Sequence, residues 1–469
     1  MEEIFDIFAE LCSIILGSFR EEDFIHYSCI SHPAEISIRE KISERLPQLF
    51  CEEGSEGFPA GLGVRRLTEE DLSADFVREL TALISDFRDG SELFSLIHLL
   101  QVLDEGLEDI LHGKIAEYQD DRYSVVLNAN REATGVGLLP KCSCVWERKH
   151  RLSHSYSRLD NYLFHFLLLE NRVLDELVDV HFFLKPDFFP RFEKSGELKI
   201  AASPLSLDRG FRMDFYEKNS VDYFGITYNG NQNAAENGLI WEKIITAAAN
   251  ECDIAVFPEV MGNPDTVEDI RGRLAALDPG LRETMPSLII LPSVWNAGTH
   301  MNTVTVLDRS GNILCRQNKQ VPYRMSKDGR DYLEDIRTSQ VISIFHYEGI
   351  GRIAILICKD FLLTDYMEKL MRSFKLSLII VPSFSTGSYD FRQSFDLCAH
   401  DDCNVVWINT CAALEEGKEK NFKNIGYVRK RVGRDDDDAQ RLQEMPACNG
   451  AFSGKCTRDC IFFDTIRGV

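Results

Sequence analysis

The sequence predicts an α/β protein in which a mostly helical segment, residues 1–195, precedes a sheet domain spanning 196–469. Three observations lead there. Up to about residue 195 apolar side chains recur mainly at helical spacing, whereas from Glu197 short β-branched runs alternate with amphipathic stretches. The third is the run Ile353-Ala-Ile-Leu-Ile-Cys358, apolar throughout and too short for a buried helix, which reads as a central strand that stops at a cysteine.

The composition allows this and excludes other classes. A chain of 469 residues with 44% hydrophobic content can bury two or three cores. Fifty-two basic against 75 acidic residues give a formal charge of −23, which repels phosphate backbones and anionic membrane surfaces. Nucleic acid and membrane are therefore not expected partners. The start, Met-Glu-Glu-Ile-Phe-Asp, has no basic region, and no window approaches about 18 uninterrupted apolar residues, so the expected location is the cytoplasm. There the 14 cysteines are expected to be reduced, with Cys252, Cys315, Cys398 and Cys411 serving as small buried residues.

In the helical segment Ile4, Phe5, Phe8, Leu11, Cys12 and Ile15 fall on one helix face behind an acidic start. Thr68-Glu-Glu-Asp71 resembles a capping box opening a helix through Leu72, Phe76, Leu80 and Leu83. Leu93–Leu103 predicts another helix. Leu159–Leu184 predicts the longest, stopping before Lys185-Pro186. Tyr118-Gln-Asp-Asp121 resembles a two-metal carboxylate turn, but Glu117 and Arg122 replace the apolar strand flanks such a turn needs. It reads as solvated acids, as does Arg434-Asp-Asp-Asp-Asp438.

In the sheet domain Leu198–Ser203 predicts a strand, Asn231–Asn233 cap a helix through Leu239, Ile244 and Ala248, and Asp253–Glu259 predicts the next strand. A helix around Val267–Leu277, a strand at Ser287–Ser293 and a hairpin turning at Asp308–Asn312 follow. The hairpin delivers Lys319. Residues 321–340 read as polar and irregular, and strands resume at Val341–Tyr347, Leu378–Pro382 and Asn404–Asn409. After Cys358, Thr364 or Asp365 can cap a helix through Leu370 and Phe374, so the thiol sits where open α/β sheets hold their chemistry.

The order Phe257-Pro-Glu259, Gly311-Asn-Ile to Lys319, Ile357-Cys-Lys-Asp360 and Val381-Pro-Ser383 resembles the carbon–nitrogen hydrolases of the nitrilase superfamily, over residues 197–469. Each motif is short, but four in one order, each at a strand end, are specific. The resemblance implies a four-layer α-β-β-α sandwich, self-association, and thiol-dependent hydrolysis of a non-peptide amide or nitrile without metal or organic cofactor. Matched to it, Glu259 takes the position of the base, Lys319 that of the oxyanion-side cation and Cys358 that of the nucleophile. Asp360 fits the acid that follows the cysteine by two, a support for the turn.

The chemistry is consistent from below. A thiol needs a neighbouring base and a positive local field before it attacks a carbonyl, which Glu259 and Lys319 can supply. Ammonia or amine then leaves, and Glu259 draws a proton from water to release the thioester. The family also places a second glutamate soon after the lysine, in a setting that is missing here. Glu334, fifteen residues on, is the expected substitute, with Asp328, Asp331 and Asp335 as rivals.

Three other readings stay open. One is a catalytically silent or conditionally active module reporting to the helical segment, an arrangement met among bacterial phage-defence polypeptides that carry nitrilase-like domains. Another is acyl transfer from the same thioester to an amine. The third is a metal site of Cys448, Cys456 and Cys460 with His400 or Cys403, although intervals of seven and three residues are not those of a zinc knuckle. Loops 209–233, 322–340 and 384–397 are expected to build the substrate pocket.

Overall fold

The computed structural model describes residues 2–53, 61–117, 126–146, 158–170, 179–184, 188–339, 341–400, 402–414, 422–431, 442–448, 450, 453 and 455–467. Tyr118–Asp121 and Arg434–Asp438 lie outside them. The chain divides into two compact units, one made of Met1–Ser143, Arg148–Leu177 and Phe182–Pro186, the other of Cys144–Glu147, Val178–His181 and Asp187–Val469.

The first unit has one apolar core, through which helix Leu93–Gly106 runs buried on nearly every side. Helix Glu2–Ser18 contributes Phe5, Phe8, Leu11 and Ile15, helix Ala74–Asp89 contributes Leu80 and Leu83, and helix Leu93–Gly106 contributes Leu96, Leu100 and Leu103. Two sequence expectations are corrected here. The Thr68–Asp71 capping box closes a short 3-10 turn, and the following helix starts later, behind Ser73, whose hydroxyl accepts the Phe76 N–H.

The second correction concerns Leu159–Leu184, which is not one helix. It contains a 3-10 turn at Leu159–Asn161 and strands Phe166–Glu170 and Asp179–Leu184, and the first strand pairs antiparallel with Val136–Pro140. Phe166, Leu167, Leu168 and Leu169 are all buried, and a strand covered on both faces loses the alternation that marks it in a sequence. A non-local contact fixes its start. The Asp104 carboxylate, fully buried, accepts the N–H groups of Phe164, His165 and Phe166.

The second unit holds two seven-stranded sheets. The first runs Val294–Asn296, Met301–Asp308, Leu288–Ile290, Ile254–Val256, Glu197–Ala202, Phe462–Arg467, with Ile313–Asn318 also paired to Met301–Asp308. The second runs Leu442–Pro446, Asn424–Arg429, Asn404–Ile408, Leu378–Pro382, Gly351–Ile355, Val341–Tyr347, and its seventh strand, Asp179–Leu184, belongs to this unit only through Asp179–His181. Three central strands of each sheet are parallel. Parallel neighbours need crossovers, and helices supply them.

Helices Asn233–Ala249 and Thr266–Ala275 cover one face of the first sheet, burying Ile240, Ile244, Ile270 and Leu274 against Ala201, Ala255, Ile289 and Leu307. The alternate residues Ile200, Ile254, Val256, Ile290 and Val306 are buried too, on the opposite face. That face meets the second sheet. Gln317 bridges the two, accepting the Ser343 N–H at 2.9 Å and donating to the Val341 carbonyl at 2.9 Å. Helix Tyr389–His400 lies outside the second sheet, with Phe391 on Trp407 at 4.9 Å and Phe395 on Tyr427 at 5.6 Å. The layers are thus helix, sheet, sheet, helix.

A third, four-stranded sheet, ordered Arg324–Lys327, Arg330–Glu334, Val221–Tyr228, Phe211–Lys218, was not anticipated. It corrects the reading of 321–340 as irregular and of 209–233 and 322–340 as loops. Arg324–Lys327 and Arg330–Glu334 are short and polar, so composition hides them, and pairing of Leu333 with Tyr223 across 110 positions of sequence is invisible locally. The segment 384–397 likewise contains the start of helix Tyr389–His400 rather than a loop throughout.

Candidate active site

Each candidate residue sits where an element ends. Glu259 follows the parallel strand Ile254–Val256 by three residues, and Cys358 follows the parallel strand Gly351–Ile355 by three. The end that bears Glu259 meets the end of strand Leu378–Pro382, neighbour of Gly351–Ile355 in the second sheet, the Glu259 N–H donating to the Ser383 carbonyl at 3.3 Å. Lys319 comes directly after strand Ile313–Asn318, its N–H bonded to the Asn302 carbonyl at 2.8 Å. Glu334 is the last residue of strand Arg330–Glu334 in the small sheet.

The side chains converge. The Lys319 ammonium donates to Glu259 Oε1 at 2.8 Å and to Glu334 Oε2 at 2.6 Å. Asn302 Nδ2 spans the same two carboxylates, at 2.8 Å to Glu259 Oε1 and 3.3 Å to Glu334 Oε1. Glu259 Oε2 accepts the Phe384 N–H at 2.9 Å, and Glu334 Oε2 accepts the Tyr323 N–H at 3.0 Å. The Cys358 thiol lies near the Glu259 carboxylate and the Phe384 N–H, and each acts on its proton. Its backbone is left-handed, with φ of +48°, a conformation costly for a side-chain-bearing residue and frequent where a nucleophile is held out of a strand.

Glu259, Lys319 and Glu334 are each at most 4% exposed, so two carboxylates and one ammonium share a dry space with a surplus negative charge. Burial pushes the Glu259 carboxyl up, Lys319 pulls it back and Glu334 pushes it up again. For Lys319 burial opposes the ammonium, but Glu259 and Glu334 outweigh it and hold the proton firmly. Burial, then the Glu259 carboxylate, push the Cys358 thiol well above its ordinary range, against the opposing pull of Lys319 and the Phe384 N–H. The resting thiol is therefore neutral, beside a carboxylate with raised proton affinity.

Asp360 does not enter this cluster of contacts directly. Its carboxylate accepts the N–H groups of Gln320 at 3.1 Å and Val321 at 2.9 Å, and that of Ile357 at 3.3 Å, tying the residues after Lys319 to the turn that bears Cys358. Of the rivals to Glu334, Asp335 is bonded to Tyr216 and lies 3.0 Å from His300 Nδ1, Asp331 is engaged by Arg324 and Ser326, and Asp328 is exposed at a turn. Sequence reasoning missed Asn302 and the Phe384 and Tyr323 N–H groups. Asn302, the second residue of strand Met301–Asp308 and an amide ahead of Thr-Val-Thr-Val, is the one signal that pointed to any of them.

Among the described residues no group of three or more His, Cys, Asp or Glu side chains is arranged to hold a metal ion. Cys448, Cys456, Cys460 and Cys411 lie near one another, while the Cys403 thiol bonds the Asn404 carbonyl at 3.3 Å.

Two cavities meet at the site, sharing Tyr323 and Thr386 in their walls. The smaller, about 70 Å³, is bounded by Glu259, Lys319 and Glu334 and otherwise largely by apolar side chains. The larger, about 1010 Å³, is an open polar cleft with Cys358 in its wall.

No family model matches the sequence, and no curated protein matches it. Solved structures do. The C. elegans NitFhit protein is 15% identical with a TM-score of 0.35, over 58% of this chain and 61% of that one. A mutant of the amidase from Nesterenkonia sp. AN1, showing covalent addition of the acetamide moiety of fluoroacetamide at the active-site cysteine, is 14% identical with a TM-score of 0.36, over 58% and 92%. Saccharomyces cerevisiae Nit3, a member of branch 10 of the nitrilase superfamily, is 11% identical with a TM-score of 0.36, over 58% and 90%. The chain is similar to structures of the nitrilase superfamily.

Proposed function

We propose that residues 196–469 form a nitrilase-like carbon–nitrogen hydrolase that cleaves a small-molecule amide or nitrile through a thioester on Cys358, with residues 1–195 as a separate domain. The observation that carries this is the Lys319 ammonium held between Glu259 and Glu334 beside a buried, left-handed Cys358. A structural ion pair needs one carboxylate. A second carboxylate, a bridging amide and an adjacent thiol make an arrangement that costs stability and suits proton transfer.

In this mechanism the substrate carbonyl lies between the thiol and the ammonium. Sulfur attacks carbon as the thiol proton passes to Glu259, and the carbonyl oxygen becomes an oxyanion paired by Lys319 and a backbone N–H following Cys358. Collapse breaks the C–N bond, and Glu259 returns its proton to the departing nitrogen. Water then attacks the thioester, giving its proton to Glu259, and the acid leaves as the thiol is restored. Glu334 positions Lys319 and faces the substrate. No step calls for a metal or organic cofactor. Cytoplasmic location and self-association belong to the same reading.

The deciding experiment is intact-mass detection of an acyl adduct after exposure of the full chain to a mixed pool of amides, esters and nitriles, with peptide mapping. An adduct on Cys358, absent in Cys358→Ser, supports the reading. An adduct elsewhere, or turnover indifferent to Cys358→Ser, removes the assigned nucleophile and favours the silent module.

A further inference from the structure

We propose that a cavity lined by Glu236, Gly210, Phe211 and Tyr228 is a second small-molecule site, and that it takes an organic ammonium ion with an apolar body. The cavity measures about 320 Å³, within the range of small-molecule sites, about 300–1,000 Å³. It shares Val260 with the smaller cavity of the active site, but Glu259, Lys319, Glu334 and Cys358 are not among the residues that line it. Binding there does not require the thioester chemistry proposed above.

Glu236 stands in the first turn of helix Asn233–Ala249, the helix that buries Ile240 and Ile244 on the first sheet. Its carboxylate turns to Gly210. Oε2 accepts the Asn263 side-chain amide at 3.1 Å, and Oε1 lies where a Cβ on Gly210 would stand. The Gly210 backbone is not left-handed, so space alone, the space the carboxylate fills, accounts for glycine there. The helix dipole accounts for an acid in the first turn but not for a glycine beneath it. Among the described residues Oε1 has no donor, and the carboxylate has no ion-pair partner. Burial pushes the Glu236 carboxyl up, and Asn263 and then Arg458 pull it back. A half-buried anion with one oxygen unpaired favours a ligand that brings positive charge and a donor.

The remaining wall suits the rest of such a ligand. Phe211 and Tyr228, from two strands of the small sheet, stand edge to face with ring centroids 6.2 Å apart, and aromatic faces attract a cation. Leu205, Leu239 and Met261 offer contact to an apolar body. Both guanidinium groups of the wall are already engaged, Arg458 by Asp208, and Arg209 by the Ala412 carbonyl at 2.7 Å and the face of Phe384 at 5.6 Å. An anionic ligand would have to displace those contacts while facing Glu236.

Three probes of similar shape separate the charge classes: 2-phenylethylammonium, 2-phenylethanol and phenylacetate. Titration calorimetry of the full chain at about pH 8 keeps the amine protonated and the carboxyl ionised. The ammonium is expected to bind at least about tenfold more tightly than the alcohol, the scale of one charged hydrogen bond, and phenylacetate more weakly than either. Glu236→Gln keeps the side chain's size and is expected to bring the ammonium to within about twofold of the alcohol. Gly210→Ala, which drives the carboxylate from its place, is expected to do the same, and circular dichroism checks the fold of each variant. Cys358→Ser is expected to leave the ammonium affinity unchanged. No binding of the ammonium, an equal or greater affinity for phenylacetate, or an ammonium preference that survives in a folded Glu236→Gln or Gly210→Ala variant overturns the assignment. Loss of ammonium binding in Cys358→Ser would move the ligand to the active site and overturn it as well.

Discussion

Glu334 accepts the Lys319 ammonium at 2.6 Å although the two arrive from different sheets, Lys319 at the end of a strand in the large first sheet and Glu334 at the end of a strand in the small one. The small sheet is thus a support for the cation as well as a wall of the cavity. Glu334→Gln keeps the shape and weakens the charge-assisted bond, so acylation of Cys358 should slow by roughly tenfold to a hundredfold with little change in melting temperature. Single-turnover acylation rates check this. A rate equal to wild type would assign Glu334 to packing alone.

Asn302 donates to both carboxylates and accepts the Ser293 hydroxyl at 2.6 Å. Asn302→Ala should cost about 1–3 kcal/mol of stability, because buried acceptors lose their donor. Asn302→Asp should cost more, since a third carboxylate joins a cluster with one ammonium. Chemical denaturation of both variants tests the order, and equal stabilities would contradict the charge argument.

Cys358 pays a conformational cost at φ of +48°. Glycine adopts that region freely, so Cys358→Gly should be the more stable of the pair Cys358→Gly and Cys358→Ala, by about 1 kcal/mol, against the usual direction for a buried site. Both variants should lose adduct formation. Thermal unfolding measured side by side decides the point.

Asp360 supplies a pH dependence. Burial pushes its carboxyl up to about 7 from an ordinary 3.8, with Lys319 and the N–H groups of Gln320, Val321 and Ile357 pulling the other way. Between those values the folded chain holds a proton that the unfolded chain has released, so this group's contribution is fully present below about pH 4 and is lost as pH rises to 7. The melting temperature of wild type minus that of Asp360→Asn should therefore fall as pH rises from 5 to 8 on the order of the titration range. A difference independent of pH would contradict a raised pKa.

The sequence by itself determined the parts whose signals are local. Strands covered on both faces between helices read as apolar runs, so Ile353–Ile357, Leu378–Val381 and Val405–Ile408 were legible, and each candidate residue at a strand end could be named because the motif order is written in the chain. Tertiary structure decided what depends on pairing over distance. The small sheet forms because Phe211–Lys218 and Val221–Tyr228 meet Arg330–Glu334, and only that pairing selects Glu334 over Asp328, Asp331 and Asp335. It also decided that Phe166–Glu170 is a strand, by placing Val136–Pro140 beside it and Asp104 at its start. Local periodicity records which residues are apolar, whereas a carboxylate's partner is fixed by which strands lie side by side, and single-chain spacing holds no term for that.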